Sequence, residues 1–150
     1  MPPQSLKCLY INARSIVNKV DHLHILISSI IPDIIFISET WLCAIHDDSL
    51  LGLSGYSLFR ADRGDGIDPH GGVLVAVKTV LNPSIVAVNT YYELLLVDIS
   101  RNNCKIRLCV FYRPPSMNST NSIASFDFLK RYIDISYPVC VVGDFNLPSI

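Results

Sequence analysis

The chain has 150 residues, enough for one domain that buries roughly 70% of the surface its unfolded form exposes. Half of the residues are hydrophobic and only 17% are charged, against a typical ~25%, which suits strands covered on both faces. The net charge of −1 excludes a protein that coats nucleic acid by bulk electrostatics, since such modules are basic. It does not exclude an enzyme that touches DNA around a single phosphate.

In chain order, residues 6–12 (LKCLYIN) form an expected strand ending in polar residues. Residues 18–30 place Val20, Leu23, Leu26, Ile27 and Ile30 at helical spacing, with Asn18 as the expected cap and Pro32 preventing continuation. Ile34–Ser38 (IIFIS) is a short, β-branched run of the kind found in buried strands. Strand, helix, strand in this order predicts a crossover between parallel strands. The polar stretch 42–55 is irregular, residues 56–60 read as a strand, and residues 64–72 (GDGIDPHGG) read as a loop. Four strand-like runs follow, at Val73–Lys78, 85–88, 93–99 and 105–112, whose short spacing predicts antiparallel hairpins. Asn102-Asn103 is the expected turn between the last two. Residues 122–135 return to helical spacing, with Ile123, Phe126, Leu129 and Ile133 on one face and Ser122 as cap. Residues 139–143 are a last apolar strand. The order βαβ, strand meander, αβ gives an α/β domain with sheet packed on sheet and helices outside.

Five cysteines, with no C-x-x-C pair, fall mostly in strands, and we expect them reduced and buried as packing groups. That favours an intracellular location, nucleus or cytoplasm, over a secreted one. The start has no signal-peptide pattern. Residues 25–37 are the most apolar stretch, too short and interrupted to span a bilayer.

Polar groups stand at the carboxyl ends of four apolar strands: Asn12, Glu39, Tyr112-Arg113, and Asp144 with Asn146. Strand ends are where ligands bind in α/β sheets. Asp144 and Asn146 are two apart, so an extended segment turns both to one face. Glu39 and Asp144 offer hard carboxylate oxygens of the kind that hold Mg²⁺, which takes one or two protein carboxylates and keeps its waters. Each residue alone reads more simply as a turn or cap; four in register at strand ends are harder to read that way. His46-Asp47-Asp48 and Asp65/Asp68/His70 lack zinc or EF-hand spacing and read as loop polarity, and His22 and His24 as surface residues.

Asn12-Ala13-Arg14-Ser15, Ser38-Glu39-Thr40-Trp41, Tyr112-Arg113-Pro114-Pro115 and Gly143-Asp144-Phe145-Asn146, in this order and spacing, resemble the endonuclease domain of non-LTR (LINE-type) retrotransposon polyproteins. That domain is a branch of the endonuclease/exonuclease/phosphatase superfamily, similar to the apurinic endonucleases and pancreatic deoxyribonuclease. Gly71-Gly72-Val73 and Glu93-Leu94-Leu95-Leu96-Val97 also fit, so the resemblance runs over about residues 6–148. It implies a deoxyribonuclease-like four-layer α/β/β/α sandwich and a Mg²⁺ (or Mn²⁺) cofactor. It also implies a DNA substrate, nicked to leave a 3′ hydroxyl for the reverse transcriptase region of a parent polyprotein. Glu39 would ligate the metal with Asn12 helping to hold it; Tyr112 would contact the scissile phosphate; Asp144 would orient the attacking water; Asn146 would bind a phosphate oxygen. The resemblance further implies a Ser-Asp-His motif, which is not present in residues 1–150. The expectation is therefore a partial domain with an incomplete second half and impaired nicking. The alternatives are a catalytically dead retroelement remnant acting as an interaction or structural fragment, or a phosphatase- or sphingomyelinase-like member of the superfamily.

Overall fold

A computed structural model of the chain describes residues 5–63 and 70–147. Among the described residues, eight strands and two α-helices follow in the order β1 (Cys8–Asn12), α1 (Val20–Ile30), β2 (Ile34–Ser38), β3 (Tyr56–Ala61), β4 (Val73–Lys78), β5 (Ser84–Asn89), β6 (Leu94–Arg101), β7 (Cys104–Tyr112), α2 (Ser119–Ile133) and β8 (Val139–Asp144). The strands form two mixed four-stranded sheets. The first runs β1-β2-β4-β3 and the second β5-β6-β7-β8. The chain enters each sheet's parallel pair through a helix: β1 and β2 through α1, β7 and β8 through α2.

Three apolar layers hold the sandwich. Phe36, Val75, Val97 and Val110 fill the space between the sheets. Leu23, Ile35, Ile37 and Leu74 pack the first sheet on α1. Leu94, Leu96, Cys109, Phe111 and Leu129 pack the second sheet on α2. The architecture is thus α/β/β/α, and β2 is apolar throughout because helix covers one face and sheet the other. Its five residues are all buried.

Several expectations need correction. The run of four strands is not one meander: β4 pairs with β2 and β3 in the first sheet, and only β5, β6 and β7 make antiparallel neighbours in the second. Spacing alone does not distinguish a hairpin from a step between packed sheets. Asn18 does not cap α1. The helix starts after Lys19, whose side chain makes no cap bond, because residues 13–16 are held in register with 38–40 by Ala13, Ser15 and Ile16 N–H bonds. Lys19 instead donates to the carbonyls of Ala13 and Arg14, bracing that turn. Ser122 does not cap α2; Asn118 does, accepting from Asn121 N–H at 2.8 Å. The buried face of α2 carries Ser122, Ser125 and Leu129, while Ile123 is exposed. All five cysteines are free, but Cys109 alone is fully buried and Cys8 and Cys104 are exposed, since β1 is an edge strand and Cys104 adjoins a turn. That turn is as expected: Asn102 and Asn103 both take positive φ, as a two-residue hairpin of this hand requires. Most of the loop read over residues 64–72, with Asp65 and Asp68, lies outside the described residues. No described helix is long and apolar enough to cross a membrane.

Candidate active site

At one end of the sandwich the chain ends of β1, β2, β7 and β8 meet. Register explains why. Asn12 pairs with Ser38, so Glu39 leaves β2 beside Asn12. Tyr112 pairs with Asp144 in the second sheet. Asn12 joins the sheets: its Nδ2 donates to Glu39 Oε1 at 2.8 Å and to Asp144 Oδ2 at 3.1 Å, across 132 residues of sequence. Both amide hydrogens are then used, and Asn12 Oδ1 is left buried without a protein partner. A buried polar atom with no partner is uncommon and calls for an explanation.

Tyr112 is almost fully buried and lies between the sheets. Burial first, then the adjoining Glu39 carboxylate, push its phenol up to about 12, so it stays a neutral hydrogen-bond donor at neutral pH. Tyr10, two residues before Asn12, bonds Ser38 Oγ at 2.9 Å. Burial raises its phenol too, with a lesser contribution from Asp144 and Glu39.

Asp144 and Asn146 do not share one extended face. Asn146 has φ of 43°; its N–H donates to Asp144 Oδ1 at 3.2 Å and its side-chain amide to the Arg113 carbonyl at 2.9 Å. The segment curls back on itself just after β8. Arg113, alternating with Tyr112 along the chain, points to the outer face. There it donates to Ser122 Oγ, the Met117 carbonyl and the Asn146 carbonyl. It braces the chain after β8 against the start of α2, which also explains why Ser122 of that helix is buried. Gly143 sits where β8 passes close to β7: a Cβ there would lie 1.8 Å from the Phe111 carbonyl oxygen.

Backbone strain collects at the same end. Arg14, Ser15, Glu39, Trp41, Glu93 and Asn146 are non-glycine residues at positive φ, a conformation that costs energy and clusters at functional sites. Sequence reasoning missed the next residue inward, Glu93, which is 2% exposed. Its signal was faint: a glutamate opening an apolar strand run. It accepts from Gly72 N–H and from Arg63 at 2.9 Å. Burial pushes its carboxyl up, against the opposing pull of Arg63 and the Gly72 amide.

Among the described residues no group of three or more His, Cys, Asp or Glu side chains clusters as a metal site. The donors at this end are two carboxylates and an amide oxygen: Glu39, Asp144 and the partnerless Asn12 Oδ1. That set fits a hard cation which takes few protein ligands and keeps waters, as Mg²⁺ does. It does not fit zinc, which prefers nitrogen and sulfur.

Solved structures share this architecture. The endonuclease domain of TRAS1, a telomere-specific non-LTR retrotransposon, matches over 97% of this chain with a TM-score of 0.68 and 16% sequence identity. TDP2 of D. rerio, solved in complex with a single-strand DNA product, matches over 96% with a TM-score of 0.67 and 15% identity. An AP endonuclease from Archaeoglobus fulgidus matches over 95% with a TM-score of 0.66 and 17% identity. All are members of the endonuclease/exonuclease/phosphatase fold, and the chain has that fold. It spans 61% of the TRAS1 domain, 62% of the D. rerio chain and 58% of the archaeal one. The sequence matches no family profile, and no curated protein matches it.

Proposed function

We propose that residues 1–150 carry the metal- and phosphate-binding part of a metal-dependent phosphodiesterase domain, and that its substrate is a DNA strand nicked as in retrotransposon insertion. The observation that carries this reading is the Asn12 bridge between Glu39 and Asp144, with a partnerless buried oxygen on the same amide. The site of a retroelement-type enzyme is further supported by the four quoted motifs and by the fold shared with the TRAS1 endonuclease.

Glu39 and Asn12 would hold the divalent ion, Mg²⁺ or Mn²⁺. Its chemistry there would be that of a Lewis acid, easing charge development on the phosphate. Tyr112, kept neutral, donates a hydrogen bond to a nonbridging phosphate oxygen as charge builds there. Asp144, an acceptor on the other side of Asn12, orients the attacking water. Asn146 spends its side-chain amide on the Arg113 carbonyl in the absence of substrate, so binding a phosphate oxygen requires that bond to be exchanged.

The Ser-Asp-His motif implied by the resemblance is not within residues 1–150. Losing one member of a concerted catalytic set commonly costs several orders of magnitude. The 150-residue chain is therefore expected to nick supercoiled plasmid only slowly. The nicking should require Mg²⁺ and vanish in Glu39→Ala and in EDTA. Nicking that survives either treatment contradicts the metal site. Fast nicking that Glu39→Ala abolishes contradicts the need for the motif.

A further inference from the structure

Glu93 takes no part in the chemistry above, yet it is a carboxylate sealed inside the protein at the site end of the sandwich. Burying a charge is expensive unless the surroundings give it specific partners. Here the partners belong to different sheets. The residue lies just before β6 in the second sheet, and its main-chain carbonyl accepts the Tyr112 N–H at 3.1 Å. Its side chain crosses to the first sheet and accepts from Gly72 N–H, just before β4, and from Arg63, beyond the end of β3. The same Gly71-Gly72 turn accepts from the two residues that follow Glu39: Thr40 N–H to the Gly72 carbonyl at 3.2 Å and Trp41 N–H to the Gly71 carbonyl at 2.8 Å.

The turn has no slack. A Cβ on Gly71 would meet Glu93 Oε1 at 2.1 Å, and one on Gly72 would meet Thr40 Oγ1 at 2.6 Å. Both glycines are at positive φ, 134° and 84°, so side chains are excluded by conformation as well as by space. One residue is thus joined to the backbone of Tyr112 by a single hydrogen bond and to the backbone that follows Glu39 by two, relayed through Gly72. The apolar layers already hold the sheets together, and a buried ion pair adds little to cohesion over a well-packed apolar residue. What the carboxylate supplies is a fixed relation between two ends of chain that apolar contacts leave free to slide.

We propose that Glu93 is a positioning residue that clamps the Gly71-Gly72 turn, and through it sets the placement of Glu39 relative to Tyr112 across the two sheets. This rests on the proposed metal-binding role of Glu39. Removing a residue that orients a metal ligand commonly costs about 10–100-fold in metal affinity.

The test uses the 150-residue chain with Glu93→Ala, Glu93→Gln and Glu93→Asp, read by amide hydrogen exchange and by Mn²⁺ affinity from the electron-spin resonance of free Mn²⁺. In Glu93→Ala the amides of Gly72, Thr40 and Trp41 are expected to exchange faster while those of Leu96 and Val110 do not change. Mn²⁺ affinity is expected to fall about 10–100-fold. Glu93→Gln, which keeps an acceptor for Gly72 N–H, is expected to restore both readouts to near wild type. Glu93→Asp, one methylene short, shows the loss without removing the charge, and decides the matter if the alanine variant does not fold. Wild-type exchange and Mn²⁺ affinity in Glu93→Ala or Glu93→Asp overturn the clamp alone. A wild-type chain that binds no Mn²⁺ overturns the metal site first, and the positioning role with it.

Discussion

Asn12 uses both hydrogens of its amide on carboxylates, Glu39 and Asp144, so its chemistry is fixed by what an acid or an alkyl group in its place would fail to do. Asn12→Asp puts a third negative group between two others and leaves both acceptors without a donor. The expected cost is about 1–3 kcal/mol in chemical denaturation without metal. Because a cation relieves that repulsion and binds only the folded state, Mn²⁺ should raise the stability of Asn12→Asp more than that of wild type. An equal or absent response to Mn²⁺ contradicts the placement of the ion. At this scale the sequence was informative where a polar residue interrupts an apolar strand: Asn12, Glu39, Tyr112 and Asp144 all converge. Glu93 and Arg113 stood within the quoted motifs but were given no role, because their partners are mainly backbone groups of the Gly71-Gly72 turn and of the segments beside α2. Such partners leave no pattern of side-chain types to read. Asn146 was misread because two-residue alternation holds only in extended chain, and its φ of 43° takes it out of that regime.

At the scale of elements, the strand–helix–strand opening and the eight described strands were legible, most clearly β2 and β4, which are covered on both faces and written as unbroken apolar runs. Helix faces were harder. Periodicity put Ile123 and Leu129 of α2 on one buried stripe, yet Ile123 is 63% exposed and Leu129 6%. The helix is rotated toward the second sheet so that Ser122 receives the Arg113 guanidinium and Ser125 bonds the Ser122 carbonyl. A polar demand at this end of the helix thus outweighs one apolar contact. It follows that Ile123→Ser changes stability by less than about 0.5 kcal/mol, whereas Leu129→Ala costs about 2–5 kcal/mol. Urea denaturation of the two variants checks this, and comparable losses in both would contradict the observed orientation. The GDFN motif also acquires a physical reason here. Gly143 is required because β8 passes so close to the Phe111 carbonyl that no Cβ fits.

For the whole molecule, the expected four-layer order held, while the allocation of strands to sheets did not follow from spacing. Both a hairpin and a step between packed sheets need only a short connection, so β4 and β5 looked like neighbours and belong to different sheets. The two sheets bring their informative ends together at one place only because β1 and β8, far apart in sequence, lie against each other as the outer strands of their sheets. That closeness places Asn12 within reach of Asp144 and is the basis of the proposed phosphodiesterase site. A phosphodiesterase role for this end of the sandwich requires that a divalent ion bind there. The direct measurement is the two-dimensional amide spectrum of the 150-residue chain titrated with substoichiometric Mn²⁺, whose unpaired electrons broaden nearby signals. The expected result is selective loss of the amide signals of Asn12, Ala13, Glu39, Thr40 and Asp144, reversed by excess Mg²⁺ and absent in Glu39→Ala. Broadening centred instead on the Asp47-Asp48 turn or on Asp98, or none at all, would contradict it.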